Sequence, residues 1–271
     1  MKPGDLFDLS AEVAVVIGAT GALGGELAQG LAEAGAAVAV LGRHAERGRA
    51  RAKSIQDKGG RAIFVPADAV QKSSLQAAHQ VVQDGFGPPT ILVNAAGGND
   101  PKVTVTSERR FEQIGLSDWQ ASFDLNLVGG ALLPCQEFGP GMVARSKGSI
   151  INICSVSAHL PLSRVVTYSA AKAALLNLTL FLAREWASSN VRVNSITPGF
   201  FPAEQNRKLL FNADGSPSAR TQAIWAHTPM ARFGEPRELI GAALFLASQK
   251  ASSFVTGTDI RVDGGFLAQT I

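Results

Sequence analysis

The chain has 271 residues, of which 46% are apolar and 17% are charged. This composition argues against a disordered protein, and the length suits one large domain or two small ones. The formal net charge is +3, and no run of lysines or arginines is long enough to form a nucleic-acid-binding patch. We therefore expect no nucleic acid partner.

The sequence shows no targeting or membrane signal. Residues 1–9 mix charged and apolar side chains, and no stretch reaches about 18 apolar residues. We therefore expect a cytoplasmic protein with no membrane partner. The two cysteines, Cys135 and Cys154, match no disulfide framework and no metal signature, so we expect no metal site and a buried, unreactive Cys154.

Short apolar runs alternate with longer amphipathic stretches along the chain. The runs predict strands at residues 13–17, 38–41, 63–65, 91–93, 150–153, 191–196 and 260–262. The stretches predict helices at residues 23–34, 46–58, 73–83, 119–144, 167–187 and 236–247. Most runs lack polar alternation, as is typical of strands buried on both faces of a sheet. The alternation predicts an α/β fold with a parallel sheet.

A glycine-rich turn follows the first predicted strand and precedes the first predicted helix. It contains Gly18, Gly21 and Gly24. Glycines at such a turn let the backbone approach a pyrophosphate, and the helix N-terminus supplies free N–H groups. The pattern predicts a dinucleotide site in one doubly wound Rossmann domain over residues 1–271, with a seven-stranded parallel sheet and helices on both faces. The alternative is an ordinary strand–helix turn.

The end of the second predicted strand bears on the choice of dinucleotide. An acidic residue there favours NAD because it binds the ribose 2′-hydroxyl. This chain has Gly42 followed by Arg43, and an arginine can pair with a 2′-phosphate. We therefore expect NADP as the preferred cofactor, with NAD as the alternative.

Tyr168 and Lys172 lie four residues apart on a predicted helix and so share a face. An ammonium beside a phenol favours the phenolate, so we expect a phenol pKa well below 10. Such a phenol can exchange a proton with an alcohol or a carbonyl oxygen. Ser155 follows a predicted strand, and its hydroxyl could bind the same oxygen.

These residues resemble the signature of the short-chain dehydrogenase/reductase family over nearly the whole chain. Asn126 stands where the family has a fourth catalytic residue, after Ser155, Tyr168 and Lys172. Residues 94–97, 192–199 and 262–265 also resemble family elements. The resemblance implies these cofactor-binding residues: Gly18, Thr20, Gly21, Leu23, Gly24, Arg43, Asp68, Ala69, Asn94, Ala95, Gly97, Tyr168, Lys172, Pro198 and Gly199.

The resemblance also implies roles and an assembly. Tyr168 passes the proton, Lys172 lowers the phenol pKa and holds the nicotinamide ribose, Ser155 orients the carbonyl, and Asn126 positions a relay water. The nicotinamide exchanges the hydride. The family's usual homotetramer is an expectation for this chain. The sequence departs from the family pattern at Ile17 and Ala22 in the glycine turn and at Ala95 after the fourth strand.

Two longer segments, residues 98–115 and 199–233, are expected to wall the substrate pocket. Their basic residues are Lys102, Arg109, Arg110, Arg207, Lys208 and Arg220. These charges favour an acidic substrate, unless they are solvated surface charges. Residues 94–102, 201–210 and 228–234 resemble the D-mannonate oxidoreductase (fructuronate reductase) branch, which implies interconversion of D-fructuronate and D-mannonate or a similar sugar acid.

The candidate substrate-binding residues are Lys102, Ser157, Asn206 and Arg207, with Arg207 or Lys102 holding the carboxylate. Two other functions remain open. One is a short-chain reductase for a 3-oxoacyl thioester, a ketose or a steroid. The other is a nucleotide-binding scaffold without catalysis, which would not need all four catalytic residues.

Overall fold

The computed structural model describes residues 2–202 and 207–270. Within these residues the chain forms a seven-stranded parallel sheet in the order β3-β2-β1-β4-β5-β6-β7. The strands are β1 (Val13–Ile17), β2 (Ala37–Gly42), β3 (Arg61–Pro66), β4 (Ile91–Asn94), β5 (Gly148–Ile153), β6 (Val191–Pro198) and β7 (Asp259–Val262). The predicted doubly wound sheet is confirmed. The strand order reverses between β1 and β4, where such folds bind ligands at the carboxyl ends of the strands.

The helices cover both faces of the sheet. In chain order they are α1 (Ala22–Glu33), α2 (Ala45–Asp57), α3 (Lys72–Phe86), α4 (Leu116–Phe123), α5 (Leu133–Ala144), α6 (Val166–Trp186), α7 (Arg207–Leu210), α8 (Ala219–His227), α9 (Ile240–Ala247) and α10 (Gln249–Ser252). One hydrophobic cluster packs α1 and α9 against the sheet, and a second packs α3, α5 and α6 against its other face. Because both faces are covered, β1, β4, β5 and β6 are buried along their whole length.

Residues 119–144 are helical as predicted, but they do not form one uniform α-helix. The chain instead forms α4, then a π-helical segment (Asp124–Leu132), then α5. Gly129 lies in that segment, and a Cβ there would meet Val70 Cγ1 at 2.6 Å. The segment thus packs closely against the loop after β3. Wide turns inside helices often occur at functional sites, and this one contains Asn126.

Helix α6 bears on the expectation that no segment spans a membrane. Residues Val166–Ser189 are long and apolar enough to cross a membrane by length and composition alone. The helix nevertheless packs along β6, and it buries Thr167, Lys172 and Thr179 against the sheet. A helix packed on the sheet in this way is a core helix of the folded domain, although its length and composition pass the membrane test.

The two long segments contain short structured pieces. Residues 98–115 include the 3₁₀ turns Pro101–Val103 and Phe111–Gln113. The second segment carries α7 and α8, and the Ser218 hydroxyl caps α8 by accepting the Thr221 N–H. The helix predicted at residues 236–247 begins as a 3₁₀ turn, Pro236–Leu239, and continues as α9.

Candidate active site

Ser155 lies directly after β5, in a compact turn. Its backbone is extended, with φ −168°, and its hydroxyl accepts the Ser157 N–H at 3.2 Å. The chain then forms the 3₁₀ turn Val156–Ala158. Because the Ser155 oxygen already accepts from Ser157, its own hydrogen is available to donate. The Ser155 side chain lies close enough to Tyr168 to lower the pKa of the phenol, so the structure brings these two predicted residues together.

Lys172 lies one turn after Tyr168 on α6 and is only 3% exposed. Its Nζ donates to the Ile153 carbonyl at 2.8 Å and lies 5.7 Å from the centroid of the Tyr168 ring. The Ile153 carbonyl belongs to β5, so this bond fixes the ammonium beside the strand that leads into Ser155. The predicted pair therefore shares one face of the helix, next to the serine turn.

Asn126 reaches the same place from the π-helical segment. It is fully buried, its Oδ1 accepts the Gly98 N–H at 2.8 Å, and its Nδ2 donates to the Gly98 carbonyl at 2.9 Å. A Cβ on Gly97 would lie 2.7 Å from Asn126 Oδ1 and 3.5 Å from Lys172 Nζ. The geometry therefore gathers all four predicted catalytic residues at the carboxyl ends of β4 and β5.

The expected low phenol pKa is wrong for the chain on its own. Burial raises the pKa of Tyr168 to about 12, although the nearby Ser155 side chain acts in the opposite direction. Burial also lowers the pKa of Lys172 to about 8. Lys172 is buried and Tyr168 is half-buried, and exclusion of water from each group disfavours its charged form. At neutral pH the phenol is therefore protonated, which is the form that donates a proton.

The glycine turn fits a dinucleotide pyrophosphate. Gly18 has φ 81°, and a Cβ there would meet Ala96 N at 2.7 Å. A Cβ on Gly24 would meet the Gly18 carbonyl oxygen at 2.5 Å. Gly21 is the N-cap of α1 and has no side chain to cover the free N–H groups of the first turn. The cradle is therefore lined by backbone atoms, and a side chain at Gly18 or Gly24 would fill the space between them.

Further predicted cofactor residues line the same edge of the sheet. A Cβ on Gly42 would meet Thr20 Cγ2 at 2.7 Å, so Thr20 lies against the end of β2, next to the exposed Arg43. Leu23 packs against the core from the first turn of α1. The remaining predicted residues lie at or just after the carboxyl ends of β3, β4 and β6: Asp68, Ala69, Ala95, Gly97, Pro198 and Gly199.

Asn94 differs from the other predicted cofactor residues. Its side chain is fully buried and donates from Nδ2 to Asn152 Oδ1 at 2.8 Å, and Asn152 donates in turn to Thr179 Oγ1 at 2.8 Å. These bonds join β4, β5 and α6. The Asn94 amide thus lies inside the sheet rather than in the open crevice.

The four predicted substrate-binding residues differ in what the structure shows of their surroundings. Lys102 Nζ lies 4.0 Å from Asp118 Oδ1 in an exposed ion pair. Ser157 is 3% exposed, and its hydroxyl has no hydrogen-bond partner in the part of the chain that the structure describes. Asn206 lies outside the described residues. Arg207 begins α7.

Sequence reasoning missed a polar cluster beside the serine turn. His159 Nε2 lies 3.1 Å from Asp259 Oδ2, and Asp259 also accepts from Ser195 and Thr197. The histidine and the aspartate are 100 positions apart, so no local pattern joins them. Cys154 is buried as expected, and burial raises its thiol pKa.

Comparison with known proteins agrees with this geometry. A family model described as enoyl-(acyl carrier protein) reductase matches residues 18–267. The Bacillus subtilis (strain 168) protein named Uncharacterized oxidoreductase UxuB is 41% identical over 271 residues, with 96% of each chain covered. The 2-dehydro-3-deoxy-D-gluconate 5-dehydrogenase of Formosa agariphila is 36% identical over 265 residues, with 97% of this chain and 96% of that protein covered.

Two solved structures share the fold. One is a candidate D-mannonate oxidoreductase from Haemophilus influenzae with bound NAD, at a TM-score of 0.92 and 37% identity, with 97% of each chain covered. The other is a gluconate 5-dehydrogenase from Burkholderia cenocepacia with NADP and tartrate, at a TM-score of 0.89 and 33% identity, with 99% of this chain and 100% of that chain covered. The predicted reaction class and NAD(P) as the cofactor class agree with these relatives. The chain belongs to the short-chain dehydrogenase/reductase family and is an oxidoreductase.

Proposed function

We propose that this protein is an NAD(P)-dependent oxidoreductase that interconverts D-fructuronate and D-mannonate, or a closely similar keto and hydroxy sugar acid. One observation carries the chemistry: Ser155, Tyr168 and Lys172 meet beside a glycine cradle that fits a pyrophosphate. When bound, the nicotinamide supplies or takes the hydride. The chain's own residues bind the reacting oxygen and move its proton.

The four residues divide the work by position. The Tyr168 phenol donates its proton to the carbonyl oxygen, and Ser155 orients and polarises that carbonyl with its free O–H. Lys172 holds the nicotinamide ribose and keeps its charge at neutral pH, below its pKa of about 8. Asn126, tied to Gly98 through both amide atoms, is positioned to hold a relay water next to Lys172.

The sugar-acid class is supported by the relatives and by two arginines. Relatives are named for gluconate or mannonate chemistry, and one solved relative contains tartrate, a dicarboxylate. Burial lowers the pKa of the Arg220 guanidinium, and the positive charge of Arg164 lowers it further. Arg220 has no ion pair among the described residues, whereas Arg164 lies close enough to Glu108 for its charge to lower the pKa of that carboxyl. A substrate carboxylate would relieve this repulsion, so both join Lys102 and Arg207 as candidate carboxylate ligands.

Arg164 is also held in an uncommon conformation. Its φ is 74°, a region that favours glycine, and its carbonyl accepts the Val105 N–H at 2.9 Å. This bond ties the first substrate segment to the loop that leads into α6. Arg164 lies in the loop directly before α6, the helix that carries Tyr168, which supports a place near the reacting group.

NADP is the proposed preferred cofactor. Arg43 is exposed at the end of β2, beside Thr20, and no acidic side chain stands at that position. A 2′-phosphate could pair with the guanidinium there. One solved relative binds NAD and another binds NADP, so the preference is a property of this chain to be measured.

A homotetramer is proposed on the family resemblance. Two exposed apolar side chains of α6 support an assembly through this helix: Leu180 is 49% exposed and Phe181 is 56% exposed. Sedimentation of the purified protein tests the proposal, since a monomer at micromolar concentration would contradict it.

A substrate screen tests the proposed function. NADPH and NADH oxidation is followed with keto sugar acids, ketoses and acyl thioesters at equal concentration. We expect the highest kcat/KM with a keto sugar acid, and Arg220→Gln should raise its KM about tenfold because one charged hydrogen bond is lost. The exposed Arg184 is the matched control, and Arg184→Gln should leave KM unchanged. Preference for a thioester or an uncharged ketose would contradict the proposal.

A further inference from the structure

Asp259 is the centre of a hydrogen-bonded cluster beside the serine turn. One carboxylate oxygen, Oδ1, accepts from Ser195 Oγ at 2.5 Å and from Thr197 Oγ1 at 2.8 Å. The other oxygen, Oδ2, lies 3.1 Å from His159 Nε2. Ser195 and Thr197 belong to β6, and Asp259 begins β7. The carboxylate is thus fixed by the sheet, and the histidine is the partner that comes from outside it.

The geometry also fixes which nitrogen of His159 carries a proton. A carboxylate only accepts hydrogen bonds, so Nε2 must be the donor to Asp259. Thr197 Oγ1 lies 3.3 Å from the same nitrogen. Its own hydroxyl hydrogen is donated to Asp259, so toward the imidazole it can only accept. The Nε2–H therefore points between two acceptors that are both anchored in the sheet.

His159 ends the turn that begins at Ser155. The Ala158 N–H donates to the Ser155 carbonyl at 2.9 Å, and the His159 N–H donates to the Val156 carbonyl at 3.1 Å. The start of the turn is held because the Cys154 N–H donates to the Ile196 carbonyl of β6 at 2.8 Å. The imidazole holds the other end to the same strand and to β7.

We propose that His159 and Asp259 are positioning residues that clamp the serine turn and so set the direction of the Ser155 hydroxyl. This inference rests on the proposed role of Ser155. The two residues act through Ser155 and do not touch the reacting atoms. Without the clamp, the turn keeps its β5 end but loses the hold on its far end.

The first test compares kcat and KM among variants of the clamp. His159→Ala should lower kcat about 10- to 100-fold, because a shift of the order of 1 Å in a catalytic group costs about that much. His159→Gln retains an N–H donor at similar reach and should recover most of the activity. Asp259→Asn replaces a carboxylate oxygen with an NH₂ group, which is a donor and faces the donors His159, Ser195 and Thr197. Its kcat should therefore fall about as far as that of His159→Ala.

The chain offers a matched control. His79 Nδ1 lies 2.8 Å from Glu137 Oε1, and these side chains are 19% and 17% exposed, against 19% and 15% for His159 and Asp259. This second pair joins α3 to α5, outside the serine turn. His79→Ala should leave kcat unchanged. An equal loss of kcat in both alanine variants would overturn the clamp and indicate general destabilisation.

A double-mutant cycle separates the clamp from the proposed function. If His159 acts through Ser155, His159→Ala should have little further effect on kcat in the Ser155→Ala background. Fully additive effects would overturn the inference while leaving the role of Ser155 intact. If Ser155→Ala alone leaves kcat unchanged, the proposed catalytic role of Ser155 fails, and the clamp fails with it. Thermal unfolding of each variant checks that the compared proteins are folded.

Discussion

The two halves of the sheet are built in different ways. Strands β1 and β2, next to the proposed dinucleotide cradle, bury almost only apolar side chains. Strands β5 and β6, which lead to the proposed catalytic residues, bury many polar ones: Ser149, Asn152, Arg192, Asn194, Ser195 and Thr197 are all under 4% exposed. The first half offers backbone to a ligand, whereas the second half holds side chains in hydrogen-bond networks.

This difference predicts two kinds of sensitivity. The cradle half, which contains β1 and β2, should lose dinucleotide affinity when a side chain fills space that the backbone leaves open. The catalytic half, which contains β5 and β6, should lose turnover when a hydrogen-bonding group is removed, even if the side-chain volume is kept. Four experiments can break or sharpen this comparison.

Removal of the phenol oxygen of Tyr168 should have the largest effect on turnover. Tyr168→Phe keeps the ring but removes the proton donor, so kcat should fall about 10³-fold, a typical loss for a general acid. Steady-state oxidation of NADPH measures the change. Dinucleotide affinity, measured by calorimetry, should stay within about twofold. If turnover survives, the proposed chemistry is wrong.

A methyl group in the cradle should have the next largest effect. Gly18→Ala places a Cβ 2.7 Å from Ala96 N at φ 81°, so it should weaken dinucleotide binding about 10- to 100-fold and destabilise the fold by about 1–3 kcal/mol. Gly241→Ala is the control, because it lies in α9 with nothing within 4 Å of the added Cβ. It should leave binding unchanged and stabilise the helix by about 0.5–1 kcal/mol. Similar losses in both variants would contradict the cradle.

A charge at the rim of the cradle should have a smaller and selective effect. Arg43→Ala removes the proposed partner of a 2′-phosphate, so kcat/KM for NADPH should fall about tenfold. The value for NADH should change less than twofold. Equal losses for both cofactors would remove the argument for NADP preference.

The smallest expected effect is a shift in the pH at which the Tyr168 phenol ionises. Tyr168 is the only tyrosine of the chain, so phenolate absorbance reports one group. Burial raises its pKa to about 12 in the folded chain, so the phenolate should form at higher pH than in the chain unfolded by denaturant, where the phenol titrates at about 10. The phenol thus contributes stability that is present below pH 10 and is lost as pH rises through 12. Titration at or below pH 10 in the folded protein would contradict the burial argument.

Much of the fold could be predicted because its signals are local. Apolar runs marked all seven strands, and the spacing of Tyr168 and Lys172 placed both on one helical face. The π-helical segment at Asn126 could not be predicted, since its apolar pattern is that of an ordinary helix, and the close approach of Gly129 to the loop after β3 is a tertiary contact. The phenol pKa was predicted with the wrong sign because spacing indicates which charges are near but not how much water is excluded.

The hydrogen bond between His159 and Asp259 spans 100 positions of the chain. Contacts of such long range carry a large loop-closure entropy and form only when distant segments meet. A molecule in which β7 has not yet joined the sheet can present its glycine cradle, but the serine turn still lacks its far anchor. Readiness to bind the dinucleotide and readiness to turn over would then be acquired at different stages of folding.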